Sequence, residues 1–280
     1  MTLGYYNGEV CDASSLKIPA FDRAVYFGDG VYDFAMVRNG KMFAPDDHFE
    51  RFLNSCLAIG IDTVDPGALK SEIFRFCAKM SEKVTPDFSL YWQASRASAP
   101  RSHVPPEGGK HNLLMFASPK QVGDLFSPLA LRTVEDRRYS FCNVKTLNLL
   151  LNVLAGRAAA EDGCDEALFH RGDRVTEGSH TSIDLLSGGV FVTPPADEYI
   201  LPSVSRKHLI ALCKETGIPV EERVFTLDEL FEADEVIVAS TSLLCRPVDS
   251  VNGEPVGGRD PALYKKIADA YLARYLRETG

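Results

Sequence analysis

Apolar residues recur along this chain with two different periods, and the switches between them mark its elements. Residues 1–43 carry short alternating runs. Asn7-Gly8 and Asn39-Gly40 are hairpin signals between such runs, and Val31–Val37 is rich in strand formers. From Asp46 the spacing becomes helical: Phe49, Phe52, Leu53, Cys56 and Ile59 line one face, and Gly60 ends it. Asp65 as cap and Pro66 in the first turn predict a second helix with Leu69, Ile73, Phe76 and Met80 on its apolar face. Phe88–Ala94 and Leu113–Ala117 read as strands around the irregular stretch ASAPRSHVPPEGG. This part of the chain is α+β rather than a regular βαβ repeat.

The segment SPKQVGDLFSP reads as a connection, giving an N-terminal domain over 1–120 and a second domain over 121–280. The second part opens with a strand at Ala130–Val134. A helix from Leu147 to Ala160 follows, with Leu147, Leu150, Leu151 and Leu154 expected inward, and it runs out at Gly163. Leu168–His170 and Arg174–Thr176 suggest a hairpin about Gly172, and Gly189–Thr193 a further strand. Ser203 or Ser205 caps a helix through Leu209, Leu212 and Cys213, and Thr226 with Glu229 forms a capping box before Leu230. Val236–Ala239 is a short apolar strand that runs into Ser240-Thr241-Ser242. Asp260-Pro261 starts a final helix packed through Leu263, Ile267 and Leu272.

The 280 residues allow one large or two medium domains, and 45% hydrophobic content can fill their cores. A net charge of −9 disfavours nonspecific binding to nucleic acid or to an anionic membrane, while leaving room for a local anion pocket. The seven cysteines are dispersed and lack metal-binding spacing, so no metal is expected. The start MTLGYYNGEV lacks a secretion pattern and no run reaches the length of a membrane span, so the reducing cytoplasm is the expected compartment.

Lys145 sits in FCNVKTLNLL, where its neighbours can desolvate it into a reactive amine or leave it as an ordinary surface lysine. Downstream, VTEGSHTS holds Glu177, which is either a solvated turn acid or a partner for a cationic ring. FGDGVYD is a glycine turn before a strand, and its Tyr32 either packs in the core or points a polar tip into a pocket. Arg51 on its helix is exposed unless a buried anion draws its donors inward. Ser205 and Arg206 near a helix start, with Ser240 and Thr241 after a strand, are caps and turns that can also hold a phosphate with little net charge. A lysine, an acid and such ends together fit pyridoxal 5′-phosphate (PLP), with Lys145 bound to it and Glu177 on its pyridine nitrogen.

At this point the chain resembles the fold-type IV PLP-dependent aminotransferases, and among them the bacterial D-amino-acid aminotransferases. The resemblance covers nearly its whole length and rests on FDRAVYFGDGVYD, NGKMF, HFERF, SRASAPRSH, NVKTLNLLLNVLA, ALFHRGDRVTEGS and VASTS. It implies a smaller N-terminal α/β domain, a larger C-terminal pseudo-barrel domain that binds PLP, and an obligate homodimer. By the same resemblance Lys145 is the Schiff-base lysine and proton shuttle, and Glu177 the partner of the pyridine nitrogen. Arg51, Ser205 and Thr241, with backbone amides around Val204, resemble the phosphate cup. Tyr32 matches a tyrosine beside the substrate carboxylate, and Arg101 and His103 match a carboxylate trap that reaches the other subunit. Ser240 and Arg138 match pocket residues. The chain departs from the pattern at His180-Thr181-Ser182, where His180 either narrows the pocket or is structural, and at Pro202-Ser203-Val204-Ser205.

The activity implied is ping-pong transfer of an amino group from a D-amino acid to a 2-oxo acid such as 2-oxoglutarate or pyruvate. Aminodeoxychorismate lyase, with the same lysine and glutamate, is the nearest alternative, and a noncatalytic small-molecule binding protein is a further one. Branched-chain L-amino-acid transamination fits less well, because Phe34–Arg38 reads FAMVR where an aromatic-x-Gly-x-Arg pattern is expected.

Overall fold

The computed structural model describes residues 1–280. Its contacts divide the chain into two compact units. One holds Met1–Gln121, Val144–Asn148 and Arg277–Gly280; the other holds Val122–Asn143 and Leu149–Leu276.

The first unit contains β1 (Leu3–Tyr6), β2 (Glu9–Asp12), α1 (Arg23–Phe27), β3 (Gly30–Arg38), β4 (Lys41–Met42), α2 (Pro45–Ala58), α3 (Pro66–Lys83), β5 (Phe88–Ser95) and β6 (Asn112–Pro119). The strands form one antiparallel sheet in the order β2-β1-β6-β5-β3-β4. Two-residue turns at Asn7-Gly8 and Asn39-Gly40, all four residues at positive φ, close its hairpins as the sequence predicts. Asp65 caps α3 through Ala68 N–H, with Pro66 in the first turn. The inward residues of both long helices, Phe49, Phe52, Cys56, Leu69, Ile73, Phe76 and Met80, share one core with Ala35, Leu90, Trp92 and Met115 of the sheet. On the opposite face Tyr32 stacks on Tyr91 at 5.4 Å and Tyr91 on Phe116 at 4.5 Å.

The second unit contains β7 (Leu129–Glu135), α4 (Leu150–Glu161), β8 (Glu166–Arg171), β9 (Arg174–Gly178), β10 (Ser182–Ser187), β11 (Val190–Thr193), α5 (Val204–Glu215), β12 (Val220–Glu222), α6 (Leu227–Glu232), β13 (Glu235–Ser240), β14 (Leu244–Val251), β15 (Glu254–Pro255) and most of α7 (Pro261–Glu278). Its nine-stranded curled sheet runs β12-β11-β10-β13-β14-β7-β8-β9, with β15 on β14. The chain thus has the mixed α/β architecture expected from its sequence, a smaller sheet unit and a larger curled one. Thr226 and Glu229 make the capping box of α6.

One expectation fails here. Leu150, Leu151 and Leu154 of α4 do not point inward; they are 70%, 38% and 47% exposed, with Val153 beside them at 63%. The buried face of α4 is instead Ala155 and Ala159, packed on Ala167 and Phe169. Alanines let the helix backbone lie close to β8, and the leucines are left outside as an apolar surface stripe.

Candidate functional site

Lys145 belongs to the first unit because its backbone is paired to β3. Leu147 N–H donates to Gly30 C=O at 3.0 Å, and Tyr32 N–H donates to Lys145 C=O at 3.0 Å. Val31 and Thr146 form a bridge between them. Glycine at position 30 is what permits this approach, since a Cβ there would meet Ala94 O at 2.5 Å and Leu147 Cδ1 at 2.8 Å. Ser55 of α2 accepts the Lys145 N–H at 3.2 Å. The Nζ then donates to the Tyr32 hydroxyl at 3.3 Å, above a ring whose centroid is 4.3 Å away.

On the core face of the same strand Asp33 is fully buried and binds two groups from α2. Arg51 meets it in a fork, Nε to Oδ2 at 2.9 Å and Nη2 to Oδ1 at 2.7 Å, and His48 Nδ1 lies 2.9 Å from Oδ1. Burial alone would raise the Asp33 pKa, but the Arg51 charge and the two partners' bonds outweigh it and hold the carboxyl well below the usual range. His48 is pushed down by burial, with the charges of Arg51 and Lys145 adding, so it is neutral. Arg51 is therefore turned inward, and the anion it meets within the unit is Asp33.

Arg101 and His103 lie on an exposed loop of this unit. Both flank the Phe27 ring, the Arg101 guanidinium at 5.0 Å and the His103 ring at 5.1 Å. Arg23 donates to Ser102 C=O at 2.7 Å and is itself paired with Asp29, so the loop has a built footing while the Arg101 and His103 side chains face solvent.

In the second unit Glu177 is the penultimate residue of β9, buried, with both oxygens engaged. Arg138 Nη1 donates to Oε1 at 2.7 Å and Leu201 N–H donates to Oε2 at 3.0 Å. Arg138 also forks onto Asp136, whose other partners are Arg171 and Thr176. Burial would lower the Arg138 pKa; the Asp136 bond and the Glu177 and Asp136 charges reverse it and fix the guanidinium as a cation. Arg138 thus links Asp136 to Glu177 and fixes the place of the Glu177 carboxyl group.

The Leu201 contact leads directly into α5. Ser203, not Ser205, is the cap, its hydroxyl accepting Arg206 N–H at 3.3 Å. Val204 and Ser205 supply first-turn N–H groups that a helix cannot bond internally. α5 packs on β13, at whose end Ser240 accepts Leu243 N–H, and Thr241 follows. After Glu177 the turn Gly178–Thr181 is built around the buried Glu166 carboxylate. Ser179 and Thr181 donate to it, and His180 Nδ1 lies 2.8 Å from Oε2 while its ring is 64% exposed. Burial would raise the Glu166 pKa, but the His180 and Ser179 contacts outweigh it and hold it low. The expected residues therefore fall into two groups. Tyr32, Arg51, Lys145 and the Arg101–His103 loop belong to the first unit; Arg138, Glu177, His180, Val204, Ser205, Ser240 and Thr241 belong to the second.

Residues 30–251 match the family model described as amino-transferase class IV. The chain belongs to the class IV aminotransferases. Among curated members of this family, the D-alanine aminotransferase of Staphylococcus haemolyticus is 36% identical over 260 residues, covering 92% of each chain. That of Bacillus licheniformis is 33% identical over 279 residues, covering 98% of each. Among solved structures, the branched-chain amino acid aminotransferase from Escherichia coli superposes with a TM-score of 0.87 at 23% identity, over 99% of this chain and 95% of that one. That likeness establishes the aminotransferase fold. Three buried carboxylates outside the set of expected site residues, Asp33, Asp136 and Glu166, hold members of that set: Arg51, Arg138 and His180. Asp33 had a visible signal, being the acidic member of the core-facing phase Val31, Asp33, Ala35, Val37.

Proposed function

We propose that this aminotransferase moves the amino group of a D-amino acid to a 2-oxo acid such as 2-oxoglutarate or pyruvate. The coarser activity, PLP-dependent transamination of amino acids, follows from its family. The D-amino-acid reading is carried by one observation: relatives 33–37% identical over 90% or more of the chain are D-alanine aminotransferases.

The residues fit the cofactor. Lys145 offers an amine held on Tyr32, Glu177 a carboxyl group held by Arg138 and the Leu201 N–H, and α5 a helix start with unbonded N–H groups. Lys145 would carry the aldehyde carbon, Glu177 would take the pyridine N–H, and Val204, Ser205 and Thr241 with Arg51 would hold the phosphate. Ser240 would line the same end. PLP supplies an electron sink for the carbanion at the substrate Cα. Lys145 Nζ would take the Cα proton and return it across the imine nitrogen, two bonds away, and the Tyr32 hydroxyl would keep that amine oriented between the two transfers. Arg138 keeps Glu177 in place.

Arg101 and His103 would bind the substrate α-carboxylate of a neighbouring subunit, and Tyr32 would share that contact. A homodimer is therefore part of the proposal, supported by the solvent-facing Arg101 and His103 of the loop and by the apolar stripe of α4. No helix is long and apolar enough to cross a membrane, and seven free cysteines suit a reducing compartment such as the cytoplasm.

Initial rates with D- and L-alanine, D- and L-glutamate and (R)-1-phenylethylamine, each with 2-oxoglutarate or pyruvate, test the reading. A clear D preference is expected. Equal rates for the enantiomers, or pyruvate release from aminodeoxychorismate without amino exchange, would overturn it.

A further inference from the structure

Strand β10 carries an acid inside an otherwise apolar run, Ile183-Asp184-Leu185-Leu186, and Asp184 is completely buried. It pairs in register with Ile237 of β13, and one step beyond the Leu185–Val192 pair it reaches Thr193 of β11. Thr193 lies beside Asp184 across the β10–β11 ladder, its hydroxyl pulls the Asp184 carboxyl down against burial, and the same Thr193 oxygen accepts Arg206 Nε–H at 2.8 Å. Because Arg206 occupies an acceptor position of that hydroxyl, its single hydrogen is left for Asp184. Arg206 sits in the first turn of α5, is almost fully buried, and is held from outside by Glu222 at 2.8 Å. Asp184 has little else: Ser182 Oγ is 3.5 Å from Oδ2, and Oδ1 has no partner.

We infer that Asp184 is a positioning residue for the cofactor-phosphate end of α5, acting through Thr193 and Arg206 on the turn that presents the Val204 and Ser205 N–H groups. This rests on the reading, given above, that α5 holds the phosphate. A buried carboxylate with one idle oxygen costs stability, so its presence beneath this turn calls for a return elsewhere, and the only cation it addresses is Arg206. Burial pushes the Asp184 carboxyl up to about 6, against the Thr193 bond, the Arg206 charge and the Ser182 bond. The other titratable groups facing it are Cys213 of α5 and Cys245 of β14, both thiols raised by burial and by Asp184 itself, while Lys266 of α7 acts on Cys213. Asp184 is thus ionised and pulling on Arg206 at pH 8, and largely neutral at pH 5.5.

The test uses the full-length protein, stripped of cofactor and titrated with PLP or with pyridoxal, which lacks the phosphate; binding is read from the visible absorbance of the lysine adduct. At pH 8, D184N is expected to raise the Kd for PLP about tenfold and to leave pyridoxal within about twofold. At pH 5.5 the two proteins should converge; the phosphate itself titrates near there, so they are compared at each pH. T193V should reproduce the loss at pH 8 and T193S should spare it, which keeps the inference testable if D184N does not fold. Wild-type-like PLP affinity in D184N or T193V, or an equal loss for pyridoxal, overturns the inference alone. A wild type that binds pyridoxal as tightly as PLP overturns the phosphate reading and the inference together.

Discussion

Lys145 and Tyr32 are joined twice, once through their backbones at 3.0 Å and once through their side chains at 3.3 Å. The backbone bond fixes where the lysine enters, and the hydroxyl then decides where its amine rests.

Two substitutions separate these contributions. K145A should remove the cofactor adduct absorbance and reduce turnover by at least about 1000-fold, because the amine is both the covalent anchor and the proton carrier. Y32F leaves the backbone pairing intact and should lower kcat by roughly tenfold while retaining the adduct. A folded K145A protein with wild-type turnover would remove Lys145 from the mechanism.

Glu177 and Arg138 form a buried pair, so the two halves should fail differently. E177Q is expected to keep the cofactor but to slow single-turnover proton abstraction by about tenfold or more. R138M removes the cation shared by two buried carboxyl groups, Asp136 and Glu177, and should cost about 3 kcal/mol of stability as well as activity. Thermal denaturation set beside stopped-flow rates distinguishes the two. An unchanged single-turnover rate in E177Q would mean that Glu177 does not face the ring nitrogen.

Asp184 makes stability depend on pH in a definite direction. Its folded pKa, about 6, lies above the ordinary aspartate value of 3.8, so its contribution is fully present below pH 3.8 and is lost as pH rises through about 6. For the cofactor-free protein the loss at pH 8 is on the order of 3 kcal/mol. D184N removes that slope and should melt higher than wild type at pH 8 and alike near pH 4, although it binds PLP more weakly. A melting difference that does not change with pH would mean that Asp184 does not titrate in this range.

The cross-subunit role of the Arg101 loop predicts complementation. Mixing inactive K145A with inactive R101A should restore activity, since some heterodimeric sites then contain both intact groups. R101A alone should lose about 1.5–3 kcal/mol of binding for D-alanine, roughly 10–150-fold, and less for an amine without a carboxylate. Subunits that exchange without regaining activity would place Arg101 in its own subunit's site or in none. Replacing Leu150 and Val153 of α4 by glutamate should shift the protein toward monomer in analytical ultracentrifugation.

Caps and turns were the most legible part of the sequence. Asp65-Pro66, Thr226 with Glu229 and the Asn-Gly pairs act through neighbours in the chain, and the structure places them as read. Strand β10 was passed over because Asp184 and its serines break both the alternation and the apolar run that mark a strand. The outward leucines of α4 misled because apolar periodicity gives the apolar face of a helix without saying whether this chain covers it. The contact of Lys145 with Tyr32 spans 113 residues, and no local pattern encodes it. The motif resemblance named both residues without saying what holds them together.

The segment that carries Lys145 also closes an open border. Strand β3 is paired along its length by β5 on one side, whereas β4 covers only Val37 and Arg38 on the other. The remaining rim at Gly30–Tyr32 is satisfied by residues 145–147, which the ribosome delivers more than a hundred residues later. Until they arrive, the nascent sheet presents unpaired backbone to any passing strand. The lysine peptide is therefore also a guard against misassociation, and a change that loosens it exposes a sticky edge as well as silencing an amine.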